Sequence, residues 1–343
     1  MHILFIGRDR QGLNPASDLA ARWRGLVASG VRLTILLLCE QATSWEEPGI
    51  RVIGSGGSTF LGRWLNAYRQ GRDLTGIDLI SAQDPAELAL LGYFLGKQSK
   101  VLVEMQDHGG WFDGSRWIEE PLWPLRKACA DWLLTRVQSI RTVNPQSFER
   151  LRERFGKRVY FLPIACAERF FTAQPKPTAG KIVCVARFVP VKRHILLLQA
   201  FAVLAQTNPN AKLTLVGSGP LETKLRQLAR DLRIDRKVEF VQTTNPLPHL
   251  ESAERFVLLS SHEGWGVAAV EAAAVGVPVL MTSTGCAPWL EEKGLARQIK
   301  DLSPSKIAAQ LKEPWGNLPS SDSIPHMSDV QREQIIAWKR LHT

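Results

Sequence analysis

Apolar runs of strand length alternate with segments of helical periodicity along the first half of the chain. The apolar runs fall at 2–6, 31–38, 77–81, 101–105 and 139–143, and the helical patterns near 16–29, 60–70, 85–96 and 118–138. Alternation of this kind predicts a parallel sheet with helices on both faces. A polar segment with two prolines, residues 172–180, then interrupts it.

The alternation restarts after that segment. Strands are predicted at 182–186, 212–216, 237–241, 255–259 and 277–280, with helices near 193–206 and 220–232, from 267 onward, and at 329–341. The fold class expected is therefore α/β, with two Rossmann-like domains facing across a ligand cleft. The predicted boundaries are 1–172 for the first domain, 173–325 for the second, and 326–343 for a C-terminal helix that packs back on the first domain.

Length and charge limit the class of protein. A chain of 343 residues is too long for one typical core, which favours two domains. The net charge of +10 favours anionic partners such as nucleic acid, anionic lipid or phosphorylated small molecules. No apolar stretch is long enough to span a bilayer, and residues 1–7 are interpreted as a strand and not as a secretory signal. The five scattered cysteines predict reduced thiols in a cytoplasmic protein.

A basic segment at 126–158 has two interpretations. Apolar residues recur at helical spacing at its start, namely Leu125, Cys129, Trp132, Leu133 and Val137. One interpretation is a basic helix lying on an anionic membrane. The other is an amphipathic helix packing on its own sheet, and we favour it because an apolar helical stripe usually faces a core. A peripheral contact on the inner face of the cell membrane stays open.

The segment Ser261–Glu271 predicts an anion site. An apolar run at 256–259 precedes it and a helix follows, so the order is strand, loop, helix. A loop that enters a helix presents free backbone N–H groups and the positive end of the helix dipole. Glu263 and Glu271 would flank this turn as hydrogen-bond acceptors, which suits a ligand with phosphates and sugar hydroxyls. The alternative is that both carboxylates only cap the helix or favour its dipole.

Two further loops follow predicted strands of the second domain. Arg187 and Lys192, five residues apart, suit a diphosphate, although they could equally be surface charges of a basic protein. Gly217 and Gly219 predict a tight turn that lets a nucleotide approach the backbone. The third glycine of the dinucleotide-binding fingerprint is missing, so this loop is not predicted to bind NAD.

These three motifs, in this order, carry a resemblance to a known family. Residues 185–192, 215–220 and 263–279 resemble the second domain of retaining, nucleotide-sugar-dependent glycosyltransferases of the GT-B type. Within that type they are similar to the large group with an E-x7-E motif, the family 4-like "glycosyl transferases group 1". The match spans about 181–285. In the first half, Asp9-Arg10 and His108-Gly109 look like the corresponding segments of bacterial members.

The resemblance implies a donor site in the second domain. Arg187 and Lys192 would hold the donor diphosphate, with the backbone N–H groups of Gly266 and Val267. Glu271 would accept hydrogen bonds from the ribose hydroxyls.

It also implies a reacting centre. Glu263 would contact the transferred sugar, and His108, from the first domain, would lie near the anomeric carbon or the leaving phosphate. Asp9 and Arg10 would lie on the acceptor side. The sequence contains no Asp-x-Asp pair and no cluster with metal-ligand spacing, so fixed cations would neutralise the leaving group and neither metal nor cofactor is expected.

The function expected is transfer of a sugar from a nucleotide-sugar donor, UDP- or GDP-linked, to a saccharide or lipid-linked acceptor. Surface polysaccharide or glycolipid biosynthesis would be the setting, and no nucleic acid partner is expected. Two alternatives stay open. One is a nucleotide-sugar epimerase or an NAD-dependent oxidoreductase on similar domains. The other is a non-catalytic anion-binding protein, for which binding would fall steeply with salt.

Overall fold

The computed structural model describes residues 1–112, 122–316 and 321–341. Contacts between Cα atoms divide the chain into two units, Met1–Pro163 with the segment from Met327 onward, and Ile164–His326. The first border lies before the predicted one at 172, because residues 168–171 form a helix that packs on the helix at 267–275 of the second unit. The backbone N–H groups of Lys176 and Thr178 donate to the carbonyl oxygens of Glu251 and Ser252 at 2.8 and 3.0 Å.

Eight strands of the described residues form the sheet of the first unit. They are β1 (His2–Gly7), β2 (Arg32–Leu37), β3 (Ser44–Glu47), β4 (Ile50–Gly54), β5 (Leu79–Ala82), β6 (Leu102–Asp107), β7 (Ser139–Thr142) and β8 (Val159–Phe161). Their order is β3-β4-β2-β1-β5-β6-β7-β8, with every neighbouring pair parallel except β3 and β4. The five predicted strands are confirmed. The hairpin β3–β4 and the edge strand β8 were not predicted, because they are short and partly exposed.

Helices cover both faces of this sheet. The helices of the first half are α1 (Asp18–Ala28), α2 (Phe60–Arg72), α3 (Glu87–Ser99), α4 (Trp123–Leu134) and α5 (Pro145–Phe155). Side chains of β1 alternate between the two cores: Ile3 and Phe5 pack with α1, whereas Leu4 and Ile6 pack with α2 and α3. A strand buried on both faces is typical of a parallel sheet.

The second unit repeats the architecture with a fully parallel sheet. Its strands are β9 (Lys181–Val185), β10 (Lys212–Val216), β11 (Val238–Val241), β12 (Arg255–Leu258), β13 (Val279–Thr282) and β14 (Ala296–Ile299), in the order β11-β10-β9-β12-β13-β14. Its helices are α6 (Glu168–Phe171), α7 (His194–Thr207), α8 (Glu222–Asp231), α9 (Leu247–Glu251), α10 (Val267–Val275), α11 (Ala287–Glu292) and α12 (Pro304–Lys312). Strand β9 has β10 on one side and β12 on the other, so strands β10 and β11 are added on one side of β9 and strands β12 to β14 on the other. Ligands of such sheets bind at the carboxyl ends of the strands beside this point.

The last helix, α13 (Met327–Arg340), packs on the first unit, as predicted. The buried ring of Trp338 contacts Phe5 edge-on, with centroids 5.6 Å apart. The side-chain amide of Gln331 donates to the carbonyl oxygen of Arg22 at 2.8 Å. Within residues 1–112, 122–316 and 321–341, no helix is both long and apolar enough to cross a membrane.

The apolar stripe predicted at the start of the basic segment does not form one buried face. Leu133 and Val137 are buried in the core beneath α4, whereas Leu125 and Trp132 are 70% and 41% exposed. Packing on the sheet therefore accounts for only part of the stripe. Residues 118–121 of the predicted helix lie outside the described residues.

Candidate functional site

The three motif loops of the second unit lie together and are joined by backbone hydrogen bonds. Each follows the carboxyl end of β9, β10 or β12. The N–H of Phe188 donates to the carbonyl oxygen of Ser218 at 2.9 Å, which joins the first loop to the second. The N–H of Ser261 donates to the carbonyl oxygen of Val191 at 2.8 Å, which joins the third loop to the first. The loops predicted from separate motifs therefore form one surface.

Two glycines allow this contact between loops. Gly217 and Gly219 have φ of +150° and +158°. A Cβ atom on Gly217 would lie 2.1 Å from the carbonyl oxygen of Ala186, and one on Gly219 would lie 2.6 Å from that of Phe188. Only glycine fits such close approaches. The two residues thus have a structural role in the site, while their role toward a nucleotide stays a prediction.

Lys192 and Glu263 form an ion pair in the middle of this surface. The Lys192 Nζ lies 2.5 Å from the Glu263 Oε1, and the Ser260 hydroxyl donates to the same oxygen at 2.6 Å. The Glu263 residue is only 8% exposed. A buried carboxylate needs such partners because it has lost its hydration. Sequence reasoning did not single out Ser260, which lies directly before the motif.

The neighbouring thiols respond to this environment. Burial raises the pKa of Cys184 to about 12, although the charge of Lys192 lowers it. Burial also raises the pKa of Cys286, and the negative charge of Glu263 adds to that effect. Both thiols are therefore protonated at neutral pH, and neither is a nucleophile there.

The turn after β13 supports the Glu263 loop from behind. A Cβ atom on Gly285, which has φ of +55°, would lie 2.8 Å from that of Glu263 and 2.3 Å from the Trp265 carbonyl oxygen. The N–H of Cys286 donates to this carbonyl oxygen at 2.6 Å. The glycine therefore makes room for the loop that carries Glu263.

Helix α10 begins at the edge of the same surface. Gly266 has φ of +97° and precedes the first helical residue, Val267, which is 38% exposed. No side chain among the described residues caps this helix. Its first N–H groups lack intrahelical partners, as at the start of any helix. Glu271 lies in the second turn and is partly exposed, and the exposed Arg187 makes no ion pair within the described part of the chain.

The first unit has a pocket of about 300 Å³ at the carboxyl ends of β1, β5 and β6. Its lining consists of Arg8, Gln83, Asp84, Pro85, His108, Gly109, Trp111, Trp123 and Arg126. The indole rings of Trp111 and Trp123 are 4.6 Å apart, and the Arg126 guanidinium lies 4.9 Å from the Trp111 ring. Of these residues only His108 and Gly109 were singled out from the sequence, because the rest share no motif and meet only in the fold.

The charges around this pocket are paired. Arg8 lies 2.9 Å from both Asp84 and Glu87, and Arg126 lies 2.7 Å from Glu87. Burial raises the pKa of Asp84, although Arg8 opposes this. The pocket therefore combines two aromatic faces with charges that already neutralise one another.

His108 is held neutral at the edge of this pocket. Its Nε2 lies 2.6 Å from the Gln106 Oε1. Burial and, to a smaller extent, the nearby positive charge of Arg141 together lower the pKa of His108 to about 3. The imidazole is therefore uncharged at neutral pH.

The two acceptor-side candidates lie elsewhere. The Asp9 carboxylate accepts from the Gln11 N–H at 3.0 Å and caps a short 3-10 helix, and Arg10 lies 3.2 Å from Glu40. Neither residue lines the pocket around His108. In the described ranges, no group of three or more His, Cys, Asp or Glu side chains is placed to hold a metal ion.

The sequence of the second unit matches a family model. Residues 167–312 match the model described as "Glycosyl transferases group 1". The chain is 27% identical over 235 residues to a glycogen synthase of Mycobacterium tuberculosis, covering 61% of this chain and 55% of that protein. It is 29% identical over 243 residues to a GDP-mannose-dependent monoacylated alpha-(1-6)-phosphatidylinositol monomannoside mannosyltransferase of Corynebacterium glutamicum, covering 63% and 60%. It thus spans little more than half the length of these relatives.

Solved structures match over both units. Sucrose-phosphate synthase from Thermosynechococcus elongatus superposes with a TM-score of 0.76 at 18% identity, covering 100% of this chain and 99% of that one. HepE of Anabaena, in complex with UDP and glucose, gives a TM-score of 0.67 at 16% identity. The match covers 98% of this chain and 95% of that one. At such identities the likeness shows the fold, which is GT-B. With the family match at 167–312, it confirms the resemblance to group 1 glycosyltransferases.

Proposed function

We propose that this protein is a glycosyltransferase that moves a sugar from a nucleotide-sugar donor to a hydroxyl of a saccharide or lipid-linked acceptor. The observation that carries the proposal is the surface of three joined loops with the Lys192–Glu263 pair at its centre, inside the region that matches the family. Surface polysaccharide or glycolipid synthesis is the setting we propose.

The donor would bind along this surface. The exposed guanidinium of Arg187 and the first N–H groups of α10 offer charge and hydrogen bonds to a diphosphate. Lys192 has three donor hydrogens, so it can keep Glu263 and still bind a phosphate oxygen. Glu271 would accept from ribose hydroxyls, and Glu263 from the transferred sugar. UDP and GDP are the nucleoside diphosphates that we propose for the donor.

We infer that transfer needs no metal ion and retains the configuration of the anomeric carbon. Negative charge grows on the diphosphate as the glycosidic bond to it breaks, and Arg187, Lys192 and the start of α10 supply positive charge for it. In a same-face displacement, the leaving phosphate would take the proton of the attacking hydroxyl. This step requires no protein nucleophile, which agrees with the raised pKa of the thiols beside Glu263.

The pocket beside His108 suits the sugar part of an acceptor. Indole faces such as those of Trp111 and Trp123 pack well against the C–H faces of sugars, while Gln83 and His108 offer hydrogen bonds to hydroxyls. Its cations are already paired with carboxylates, so a phosphate would gain little there.

A membrane contact is proposed for the outer face of α2, α3 and α4. Seven large apolar side chains of these helices and their starts are 41–70% exposed: Phe60, Leu61, Leu65, Phe94, Leu122, Leu125 and Trp132. Exposed cations follow them toward the ends of the helices, namely Arg69 and Arg72, Lys97 and Lys100, and Arg136. An apolar face beside cations fits an anionic bilayer surface.

Vesicle cosedimentation tests that contact. The wild-type protein is expected to pellet with vesicles of phosphatidylglycerol and phosphatidylcholine, and less so in high salt. Leu125→Ser with Trp132→Ser should weaken pelleting, while Val203→Ser, at a 36% exposed position of α7, should not. Equal pelleting of all three proteins, or none at low salt, would reject the membrane contact.

Carboxylate variants test the donor site. Glu271→Ala should weaken binding of the nucleoside diphosphate by about 1–3 kcal/mol, since the ribose hydroxyls lose their partner. Glu263→Gln should lower the rate of transfer with little change in nucleotide affinity. Glu292→Ala, at an exposed position of α11, is the control. Unchanged affinity in Glu271→Ala would remove this residue from the site, and an unimpaired rate in Glu263→Gln would do the same for Glu263.

A further inference from the structure

A buried carboxylate, Glu104, lies in the middle of the first unit, four residues before His108 in the sequence. Glu104 on β6 is fully buried and accepts four hydrogen bonds. Its Oε1 accepts from the Ser81 hydroxyl at 2.7 Å and from the Gln106 Nε2 at 2.9 Å. Its Oε2 accepts from the Tyr160 hydroxyl at 2.5 Å and from the Trp338 indole Nε1 at 3.1 Å. Every partner of this carboxylate is therefore a donor.

This arrangement determines the orientation of the Gln106 amide. An ionised carboxylate only accepts hydrogen bonds, so the amide atom beside it must be the NH2 group. The same NH2 group donates to the Ser81 hydroxyl at 2.6 Å. The amide oxygen then points the other way, where it lies 2.6 Å from the His108 Nε2 and 3.4 Å from the Arg141 guanidinium.

We propose that Glu104 and Gln106 are positioning residues that hold His108 in one tautomer, with the proton on Nε2 and the lone pair on Nδ1. The amide oxygen of Gln106 can only accept, so the Nε2 beside it must donate. Nδ1 is then the hydrogen-bond acceptor that His108 offers in its pocket. It orients an acceptor hydroxyl by accepting its hydrogen bond. With a pKa near 3, the ring is too weak a base to remove the proton.

The C-terminal helix takes part in this hydrogen-bond network through Trp338. The indole N–H is a donor in every state, so it always requires an acceptor at position 104. In Glu104→Gln, the new amide must turn its oxygen toward Trp338 and Tyr160, and its NH2 group toward Ser81 and Gln106. Two NH2 groups cannot face each other at 2.9 Å, so the Gln106 amide turns over, gives up its longer 3.4 Å contact with Arg141 and presents its NH2 group to His108. The proton of His108 then moves to Nδ1.

Long-range ¹H–¹⁵N correlation spectra of ¹⁵N-histidine-labelled protein test this directly at neutral pH. The signals of His108 are assigned by their loss in His108→Gln. Wild type and Trp338→Phe are expected to show Nε2–H, and Glu104→Gln to show Nδ1–H. The double variant Glu104→Gln/Trp338→Phe should return to Nε2–H, because the amide at 104 can again turn its oxygen to Gln106.

Two outcomes would overturn the proposal. One is an Nδ1–H or mixed tautomer in the wild type, and the other is an unchanged tautomer in a folded Glu104→Gln. If Glu104→Gln does not fold, Gln106→Met replaces it: the ring then lacks its acceptor and a mixture of tautomers is expected. An unmixed Nε2–H in Gln106→Met would contradict the proposal equally.

The role of the tautomer in transfer rests on the proposed function. Glu104→Gln should lower the transfer rate at least tenfold with unchanged affinity for the donor nucleotide, because the donor loops belong to the other unit. An inverted tautomer with an unchanged rate would disprove the positioning role and leave the transferase function standing. An inactive wild type with the expected tautomers would disprove the function and leave the tautomer assignment intact.

Discussion

At the scale of single residues, the candidate donor site depends on one ion pair. Lys192 and Glu263 come from different loops, and their side chains are 16% and 9% exposed. Their residue types were identified from the sequence as ligand-binding groups. That they bind each other was not predicted, since two residues 71 positions apart share no local signal.

Removing one member of this pair should cost more than removing both. Lys192→Met leaves the buried Glu263 carboxylate without its cation, so the free energy of unfolding should fall, by less than the roughly 3–5 kcal/mol of a fully buried pair. The double variant Lys192→Met/Glu263→Gln should recover part of this loss. Urea unfolding measures the free energies of unfolding of the single and the double variant. Lys224→Met, on the exposed face of α8, is the control. A double variant no more stable than Lys192→Met would contradict this view of the pair.

His194 makes the second unit sensitive to acid. It is 1% exposed, and burial lowers its pKa to about 4, with the charge of Lys192 adding to the effect. Between about pH 6.5 and pH 4, His194 is therefore protonated in the unfolded chain but neutral in the folded one. Stability is retained above pH 6.5 and is lost as the pH falls toward 4, by up to roughly 3 kcal/mol.

The variant His194→Phe tests this dependence while keeping the contact with the Phe188 ring, whose centroid lies 5.0 Å from the imidazole. Its urea midpoint should fall less than that of the wild type between pH 7 and pH 4.5. His249→Gln, at a partly exposed position of α9, is the control. Equal pH dependence of His194→Phe and the wild type would show that another group causes the loss.

At the scale of elements, the site follows from strand order. The loops after β9, β10 and β12 adjoin because these strands are neighbours in a parallel sheet. This much can be predicted from alternating strands and helices. The support from Gly285 and the pocket lined by Gln83, Asp84 and Trp111 cannot, because these residues come from different loops and carry no spacing signal.

Two glycine variants should distinguish the effect of a steric clash between loops from the effect of a positive φ alone. Gly217→Ala puts a Cβ atom 2.1 Å from a carbonyl oxygen, so it should separate the first two loops, lower stability by more than about 2 kcal/mol and weaken nucleotide binding. Gly276→Ala meets nothing within 4 Å and bears only the cost of its φ of +88°, about 1–2 kcal/mol. Thermal unfolding and nucleotide titration compare the two. Similar losses of nucleotide affinity in both variants would show that the contact between loops is unimportant for binding.

At the scale of the whole molecule, the sequence predicts two α/β domains and the return of the last helix to the first one. The first border lies at Pro163 and not at the predicted 172, since α6 (Glu168–Phe171) packs on α10 of the second unit. The network from Trp338 through Glu104 and Gln106 to His108 was not predicted. Glu104 and Gln106 lie on β6 and Trp338 lies on α13, and only the fold brings them together.

The central claim is that the joined loops of the second unit bind a nucleoside diphosphate without a metal ion. Calorimetric titration with UDP, GDP, ADP and NAD, each in the presence of a chelator, tests it most directly. We expect UDP or GDP to bind, and Glu271→Ala to weaken that binding. Binding of NAD alone would contradict the account in favour of an oxidoreductase, and no binding of any of the four would contradict the donor site itself.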